Sequence, residues 1–327
     1  MKQVMPDISV VICAYTEERW HELVAAVKAI QAQTVPAREI IVVIDHNWDL
    51  WQRVRDDIPG VIAVENKEQR GLSGARNSGI KVAQGEVIAF TDEDAIPAAD
   101  WLAHLNQRYD DPRVLGVGGA IEPLWADRRP DWFPEEFDWV VGCTYRGMPQ
   151  TTAPVRNLIG CNMTFRREVF EVIGGFRSGI GRIDTLPVGC EETELCIRLR
   201  QRQPDALLYY EPKARVHHRV PPGRARWRYF RSRCYHEGRS KAMVTSLAGS
   251  RDGLSTERAY TFRTLPRSVC RRVLETVRQR NKAELIRAGA IVVGLAITTI
   301  GYLAGRISIV VNRCRRRNSL EAKYEIA

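Results

Sequence analysis

Short apolar runs alternate with longer amphipathic stretches through the first hundred residues of this chain. Runs this short, rich in valine and isoleucine, are typical of strands buried on both faces of a parallel sheet. The stretches between them carry apolar residues at helical spacing, as with Leu23, Val27 and Ile30. The pattern therefore predicts an α/β fold of βαβ units on a mostly parallel sheet. The predicted strands span residues 8–13, 40–44, 61–64 and 86–90, and the predicted helices span 16–33 and 72–83.

Polar residues follow three of these strands, at 14–17, 45–47 and 92–94. In open α/β sheets, ligands bind beyond the carboxyl ends of the strands, so these three segments are the predicted ligand-binding positions. Neither GxGxxG nor GxxxxGK[ST] follows the first strand. Dinucleotide binding through a glycine-rich turn and P-loop chemistry are therefore disfavoured.

Asp92, Glu93 and Asp94 place two carboxylates two residues apart just after a buried strand. Mg²⁺ and Mn²⁺ are bound by one or two carboxylates and complete their coordination with phosphate oxygens and water. A divalent metal held here could neutralise a leaving diphosphate. Taken alone, the triplet is equally consistent with a solvated acidic turn.

The middle of the chain is less regular. Glycine, proline and tryptophan are concentrated at 116–139, as expected of long loops that shape a pocket for an acceptor. A helix at 191–202, a strand at 206–210 and an arginine-rich helix at 224–246 are predicted to follow.

Four motifs resemble the inverting glycosyltransferases of family 2. They are VVICAYTEE at 10–18, IIVVID at 40–45, RGLSGARNSGIKVAQGEVIAFTDED at 70–94 and GCEETELCIRLR at 189–200. The resemblance spans roughly residues 7–220 and implies a Rossmann-like, nucleotide-sugar-binding GT-A fold. It also implies a Mn²⁺ or Mg²⁺ cofactor and a nucleoside-diphosphate sugar donor, with uridine-type donors favoured.

The resemblance implies a role for each matching residue. Ala14, Tyr15 and Glu17 would line the nucleobase and ribose site, and Asp45 would accept the N–H of a pyrimidine base. Arg76 and Asn77 would approach the diphosphate, with Glu93 in the same donor site. Asp92 would contact ribose or metal-bound water, Asp94 would bind the metal directly, and His218 would approach the metal or diphosphate. Asp45-His46-Asn47 departs from the Asp-Asp-Gly or Asp-Asp-Ser that is common in the family, so the identity of the nucleotide stays open.

Inverting transfer needs a base that removes the proton of the acceptor hydroxyl. The family's acidic pair corresponds to Glu191 and Glu192, and its second member, Glu192, is the predicted base. Glu191 stays a second candidate because this chain has Glu-Glu where Asp is commoner. Acids at a helix N-terminus can otherwise simply complement the helix dipole.

The formal charge of +10 is concentrated after Arg215, and it suits nucleic acid, anionic lipid or a phosphorylated ligand. Residues 288–305 carry no charge, and the apolar run resumes after Arg306. An uncharged stretch of this length is at the short edge of a membrane-spanning helix. A spanning, re-entrant or interfacial helix, or a buried helix in a soluble dimer, are all compatible with it. We favour an anionic membrane surface and a saccharide or polyprenyl-linked acceptor over nucleic acid.

The predicted organisation is a catalytic domain at 1–222, divided at 112 into donor and acceptor parts. An arginine-rich region follows at 223–287, then a membrane segment at 288–311 and a basic tail at 312–327. Eight scattered cysteines without metal-ligand spacing favour reduced thiols and a catalytic domain that faces the cytoplasm. The oligomeric state stays open. A nucleotidyltransferase and a catalytically silent sugar-nucleotide-binding subunit are the alternative functions.

Overall fold

The computed structural model describes residues 6–180, 189–249 and 253–324. In this part of the chain, nine strands form one mixed sheet in the order β3-β2-β1-β4-β8-β6-β9-β5, with the short β7 paired to β9. The strands are β1 (Ile8–Ala14), β2 (Glu39–Ile44), β3 (Ile62–Glu65), β4 (Val87–Asp92), β5 (Ala95–Pro97), β6 (Val114–Trp125), β7 (Ala153–Pro154), β8 (Met163–Arg166) and β9 (Leu207–Val220). The first four are mutually parallel, as predicted, and each lies within two residues of its predicted bounds.

Helices cover both faces of the sheet because successive residues of its inner strands point to opposite sides. Val10 and Ile12 pack toward α1 (Trp20–Gln31), whereas Val11 and Cys13 pack toward α3 (Leu72–Val82). The remaining helices before the tail are α2 (Trp48–Asp57), α4 (Trp101–Asn106), α5 (Glu168–Ile173) and α6 (Glu191–Arg202). Helix α6 has its predicted bounds. Helix α2 was absent from the sequence prediction, although Asn47 caps it by accepting the Leu50 N–H at 3.0 Å.

Strand β6 replaces the first part of the long loops that were predicted at 116–139. Its glycines reflect close packing rather than a loop. A Cβ on Gly116 would lie 2.8 Å from Leu208 and 2.9 Å from Phe165, and one on Gly119 would lie 1.9 Å from the Ala214 carbonyl oxygen. These contacts leave room only for glycine, so the composition of this segment was misleading.

Strand β9 extends ten residues beyond the predicted strand end at 210, and it contains His217 and His218. The predicted end of this strand at 210, which left both histidines outside it, was therefore wrong. Alternation along the strand places them on opposite faces, so the His217 side chain is 42% exposed and that of His218 is 4% exposed. Pairing of β9 with β5 sets His218 beside Ala95, immediately after the acidic triplet.

The C-terminal region is helical. Helix α7 (Trp227–Ala248) is followed by α8 (Ser255–Ala259), a π-helical turn (Tyr260–Thr264), α9 (Leu265–Gln279) and α10 (Lys282–Tyr324). The basic tail predicted at 312–327 continues α10 to Tyr324, and residues 325–327 lie outside the described residues. By length and composition, Lys282–Val311 is the one described helix that could cross a membrane, and a third of its most apolar window is buried against the protein.

Helix α10 packs on α7 at backbone distance. A Cβ on Gly238 would lie 2.0 Å from the Thr298 carbonyl oxygen, and one on Gly301 would lie 2.1 Å from that of Tyr235. The start of α10 is tied to α9 and to the body of the protein by a buried charge network. In it, Arg272 donates to Glu284 at 2.6 Å and to Glu136 at 2.8 Å. Helix α10 is therefore packed, from its start to about Gly305, onto α7 and the rest of the protein rather than appended to it.

Candidate active site

Two carboxylates and an imidazole meet beyond the carboxyl end of β4. Asp92 is the last residue of β4, Asp94 lies in the turn to β5, and His218 reaches them from β9. One ligand atom from each of these residues lies within 4.8 Å of the other two, and His218 Nε2 is 3.2 Å from Asp94 Oδ1. Oxygen donors from two carboxylates, together with one imidazole nitrogen, fit a single divalent metal ion such as Mn²⁺.

Cations surround this acidic cluster. The Arg19 guanidinium lies 2.6 Å from Glu93 and 3.1 Å from Asp94, and Arg224 lies 3.7 Å from Asp94. Burial opposes ionisation of Asp94, but the neighbouring His218, Arg224 and Arg19 outweigh it and hold the pKa of Asp94 well below its usual range. Burial and the charge of Asp94 raise the pKa of Glu93 to about 7. Asp94 is thus kept as a carboxylate that is ready to bind a cation.

The predicted nucleotide-binding residues line a small cavity of about 70 Å³ next to the acidic cluster. Ala14 and Tyr15 form one wall at the end of β1, and Asp45 forms another at the end of β2. The carboxylate of Asp45 is held in place by two hydrogen bonds. One oxygen accepts the Asn66 Nδ2–H at 2.6 Å, and the other accepts the Gly71 N–H at 2.9 Å. Glu17 lies outside this wall, with a side chain 48% exposed and 3.9 Å from Arg53.

Arg76 links the acidic cluster to helix α6. It is only 2% exposed, donates to Glu191 Oε1 at 2.8 Å and to the Gly160 carbonyl at 3.2 Å, and lies 3.6 Å from Asp92. Its neighbour Asn77 points elsewhere: it both donates to and accepts from the backbone of Phe176, at 2.8 Å each. Arg76 therefore belongs to the site, whereas Asn77 holds the backbone at Phe176 and does not face the acidic cluster.

Glu191 and Glu192 begin α6, and their environments differ. Glu191 is bound to Arg76 through one oxygen, while its second oxygen is buried without a hydrogen-bond partner. Glu192 accepts a hydrogen bond from the Thr193 hydroxyl at 3.3 Å. Burial and the adjacent charge of Glu191 raise the pKa of Glu192 to about 8. A carboxylate with a raised pKa is suited to accept a proton near neutral pH.

Both glutamates line a second cavity of about 460 Å³, which shares Leu72, Asp92, His218 and Arg224 with the small cavity. Several residues that line this larger cavity were not predicted from the sequence. Arg224 and Arg233 were predicted within the arginine-rich helix and interpreted as part of an anionic membrane surface, but both line this cavity. Arg156 and Lys241 were not singled out. A signal for Lys241 was available, since Arg233, Glu237 and Lys241 recur every four residues on one face of α7.

Known proteins share this sequence pattern and this fold. The model of the family "Glycosyl transferase family 2" matches residues 9–174. A glucosyl-dolichyl phosphate glucuronosyltransferase of Haloferax volcanii is 32% identical over 92% of this chain and 96% of its own length. A glucosyltransferase of Escherichia coli, WfaP, is 33% identical over 28% of this chain.

Two solved structures have the same fold at 19% sequence identity. The mannosyltransferase PcManGT from Pyrobaculum calidifontis, in complex with GDP-Man and Mn²⁺, has a TM-score of 0.57 over 92% of this chain and 88% of its own. GalNAc-T7 with UDP, GalNAc and Mn²⁺ has a TM-score of 0.53. The match covers 80% of this chain and 55% of the GalNAc-T7 chain. From the family match and the near full-length relative, we conclude that this chain is a glycosyltransferase belonging to glycosyl transferase family 2.

Proposed function

We propose that this enzyme transfers a sugar from a metal-bound nucleoside diphosphate to a glycosylated polyprenyl phosphate, with inversion at the anomeric carbon. The observation that carries the proposal is the shared wall of the two cavities. Asp92 and His218 of the predicted metal site face both the nucleotide side and the cavity that contains Glu192. A donor and an acceptor bound in these two cavities would meet at the metal site.

In this mechanism Asp92, Asp94 and His218 would hold the metal, which would neutralise the charge that develops on the leaving diphosphate. Arg224 adds a positive charge on the same side. Glu192 takes the proton of the acceptor hydroxyl while the oxygen of that hydroxyl forms a bond to the anomeric carbon. The bond from that carbon to the diphosphate oxygen breaks, and the electron pair leaves with the nucleoside diphosphate. Asp45 would accept an N–H of a pyrimidine base, since carboxylate oxygens retain further lone pairs.

The name of the relative and the surface of helices α9 and α10 support this acceptor class. The Haloferax protein is named for a glucosyl-dolichyl phosphate substrate. In this chain, α10 exposes a row of apolar side chains on the side away from α7, and α9 adds Leu274 and Val277 beside Arg271 and Arg278. The exposed residues of α10 include Val292, Val293, Ile300, Leu303 and Ile307. Apolar side chains flanked by arginines favour an anionic membrane surface, which the cytoplasm-facing catalytic region would adjoin.

A donor screen tests the proposal. The detergent-purified chain is incubated with Mn²⁺ or Mg²⁺, a panel of UDP- and GDP-sugars that includes UDP-glucuronic acid, and glucosyl polyprenyl phosphate, and products are read by mass. We expect the wild type to consume one of these donors. The Asp94→Ala variant should lose both donor consumption and sugar transfer. The exposed Asp110→Ala is the matched control and should match the wild type. Equal turnover by Asp94→Ala and wild type would contradict metal-assisted transfer. Inversion is tested separately, from the anomeric configuration of the product.

A further inference from the structure

A cluster of five charged side chains forms the wall of the large cavity beneath the start of α6. Arg233, Glu237 and Lys241 come from α7, Arg156 precedes β8, and Glu257 belongs to α8. Lys241 lies 2.7 Å from Glu257 and 3.5 Å from Glu237, and Arg233 lies 2.9 Å from Glu237. Their side chains are 8–25% exposed. Arg156 donates to both oxygens of Glu257, at 2.5 and 2.8 Å, so each cation of the cluster has a carboxylate partner. Desolvating this many charges is costly, and the attraction within the pairs offsets that cost only in part.

The cluster itself carries one positive charge in excess, because three cations face two carboxylates. Both acids are ionised: burial opposes ionisation of Glu257, but Lys241 and Arg156 lower its pKa to about 2. At Glu237 the same opposition from burial is outweighed by Arg233 and Lys241, which lower its pKa. A phosphodiester carries one negative charge and offers oxygen acceptors to Arg and Lys. The charge of the cluster matches that group.

The position of the cluster is equally specific. A series of contacts leads to it from the metal site: Asp92 to Arg76, Arg76 to Glu191, and then from Cys190, the residue before Glu191, to Glu237 at 3.4 Å. The wall of the same cavity includes Leu295, Thr298 and Tyr302 of α10. The predicted base Glu192 therefore shares one cavity with Asp92 and His218 of the metal site, with the three cations and with the helix that could enter a membrane.

We propose that Arg156, Arg233 and Lys241 bind the phosphodiester that joins the acceptor sugar to its lipid, while the wall of α10 receives the first prenyl units. This inference rests on the proposed function and identifies the group by which the acceptor is recognised. The acceptor sugar then occupies the space next to Glu192. An acceptor without the phosphate lacks the anion to which the cluster is complementary.

Binding and transfer with two matched acceptors test this inference. The full chain in detergent is titrated calorimetrically with glucosyl geranyl phosphate and with geranyl glucoside, which lacks the phosphate. We expect the wild type to bind the phosphate compound at least tenfold more tightly, and Lys241→Gln to lose most of that preference, since hydrogen bonds to charged groups typically contribute about tenfold or more. Lys241→Arg retains the charge and should retain the preference. Lys28→Gln, on the exposed surface of α1, should match the wild type.

The outcomes separate the two proposals. Equal binding of the two compounds by the wild type overturns the phosphodiester site, even if transfer to either one supports the proposed function. A Lys241→Gln protein that loses affinity for both compounds equally indicates a structural role and also overturns it. A rise in the donor KM alone would instead assign the cluster to the donor sugar. If the phosphate preference and its loss in Lys241→Gln are seen without any turnover, the phosphodiester site stands and the proposed transfer reaction fails.

Discussion

The guanidinium of Arg76 lies 2.8 Å from the carboxylate of Glu191 in a fully buried pair that joins two distant parts of the chain. Arg76 belongs to α3 on the nucleotide side, and Glu191 opens α6 on the acceptor side. The same guanidinium lies 3.6 Å from Asp92 of the predicted metal site. The pair thereby fixes the start of α6, and with it Glu192, relative to the acidic cluster.

Breaking this pair should destabilise the protein strongly. In Arg76→Met, the carboxylate of Glu191 loses its buried partner, and removal of one member of a buried ion pair costs about 3–5 kcal/mol of unfolding free energy. We expect a large decrease of the denaturant midpoint of unfolding, measured by tryptophan fluorescence. The control is Arg55→Met, because Arg55 is half exposed, with an ion pair to the adjacent Asp56 and its guanidinium 5.0 Å from the Trp51 ring centroid, and exposed contacts of this kind contribute about 1 kcal/mol or less. If the midpoints of Arg76→Met and Arg55→Met were equally close to that of the wild type, a structural role for the Arg76–Glu191 pair would be contradicted.

Replacement of Glu192 should remove the base with little effect on donor binding. Glu192→Gln keeps the shape of the side chain but cannot accept the proton, and general-base catalysis typically contributes about 10²–10⁴-fold to the rate. We expect kcat to fall by that range while nucleotide and Mn²⁺ affinities, measured by calorimetry, stay near the wild-type values. Normal transfer by this variant would assign the role to Glu191 or to another group.

The pH dependence of the transfer rate should reflect the raised pKa of Glu192. The base is active only when ionised, and its pKa of about 8 exceeds the ordinary glutamate value of 4.5 because of burial and the charge of Glu191. The rate constant kcat/KM for the acceptor should therefore decrease about tenfold per pH unit as the pH falls below about 8. A profile from pH 5.5 to 9.5 measures this. An acid limb that begins only below pH 5.5 would show that Glu192 is either normal in pKa or not the base.

The packing of α10 on α7 can be tested at a single glycine. In Gly238→Ala the new methyl group would lie 2.0 Å from the Thr298 carbonyl oxygen, so the two helices must move apart. Overpacking of this kind costs about 1–3 kcal/mol, which outweighs the gain of about 1 kcal/mol in helix propensity. We expect a lower thermal midpoint in detergent and faster proteolytic release of α10.

Gly289→Ala is the matched control for this change, because a Cβ there meets nothing within 4 Å. This substitution should leave the midpoint unchanged or raise it slightly, since alanine is the better helix former. If Gly238→Ala were as stable as Gly289→Ala, close packing of these two helices would be disproved.

Local patterns predicted the parallel half of the sheet and helices α3 and α6, since burial on both faces leaves short runs of apolar residues in the sequence. They failed at β6 and at the extension of β9. In β6, the glycines that suggested a loop are required by contacts with β8 and β9, which are distant in sequence. The side-chain partners of a strand, and not its own composition, decided the structure of that segment.

Short runs of neighbouring residues were enough to identify the family, the parallel half of the sheet and the acidic residues of the site. The tertiary fold set which charged side chains face one another. It turned Asn77 toward Phe176, drew Arg224 and Arg233 inward, and gathered Lys241 and Arg156 under the start of α6. The environment of a charge depends on its burial and on partners that are a hundred or more residues away in the chain, as between Arg156 and Glu257 or between Arg272 and Glu136. No local pattern in the sequence records such pairs.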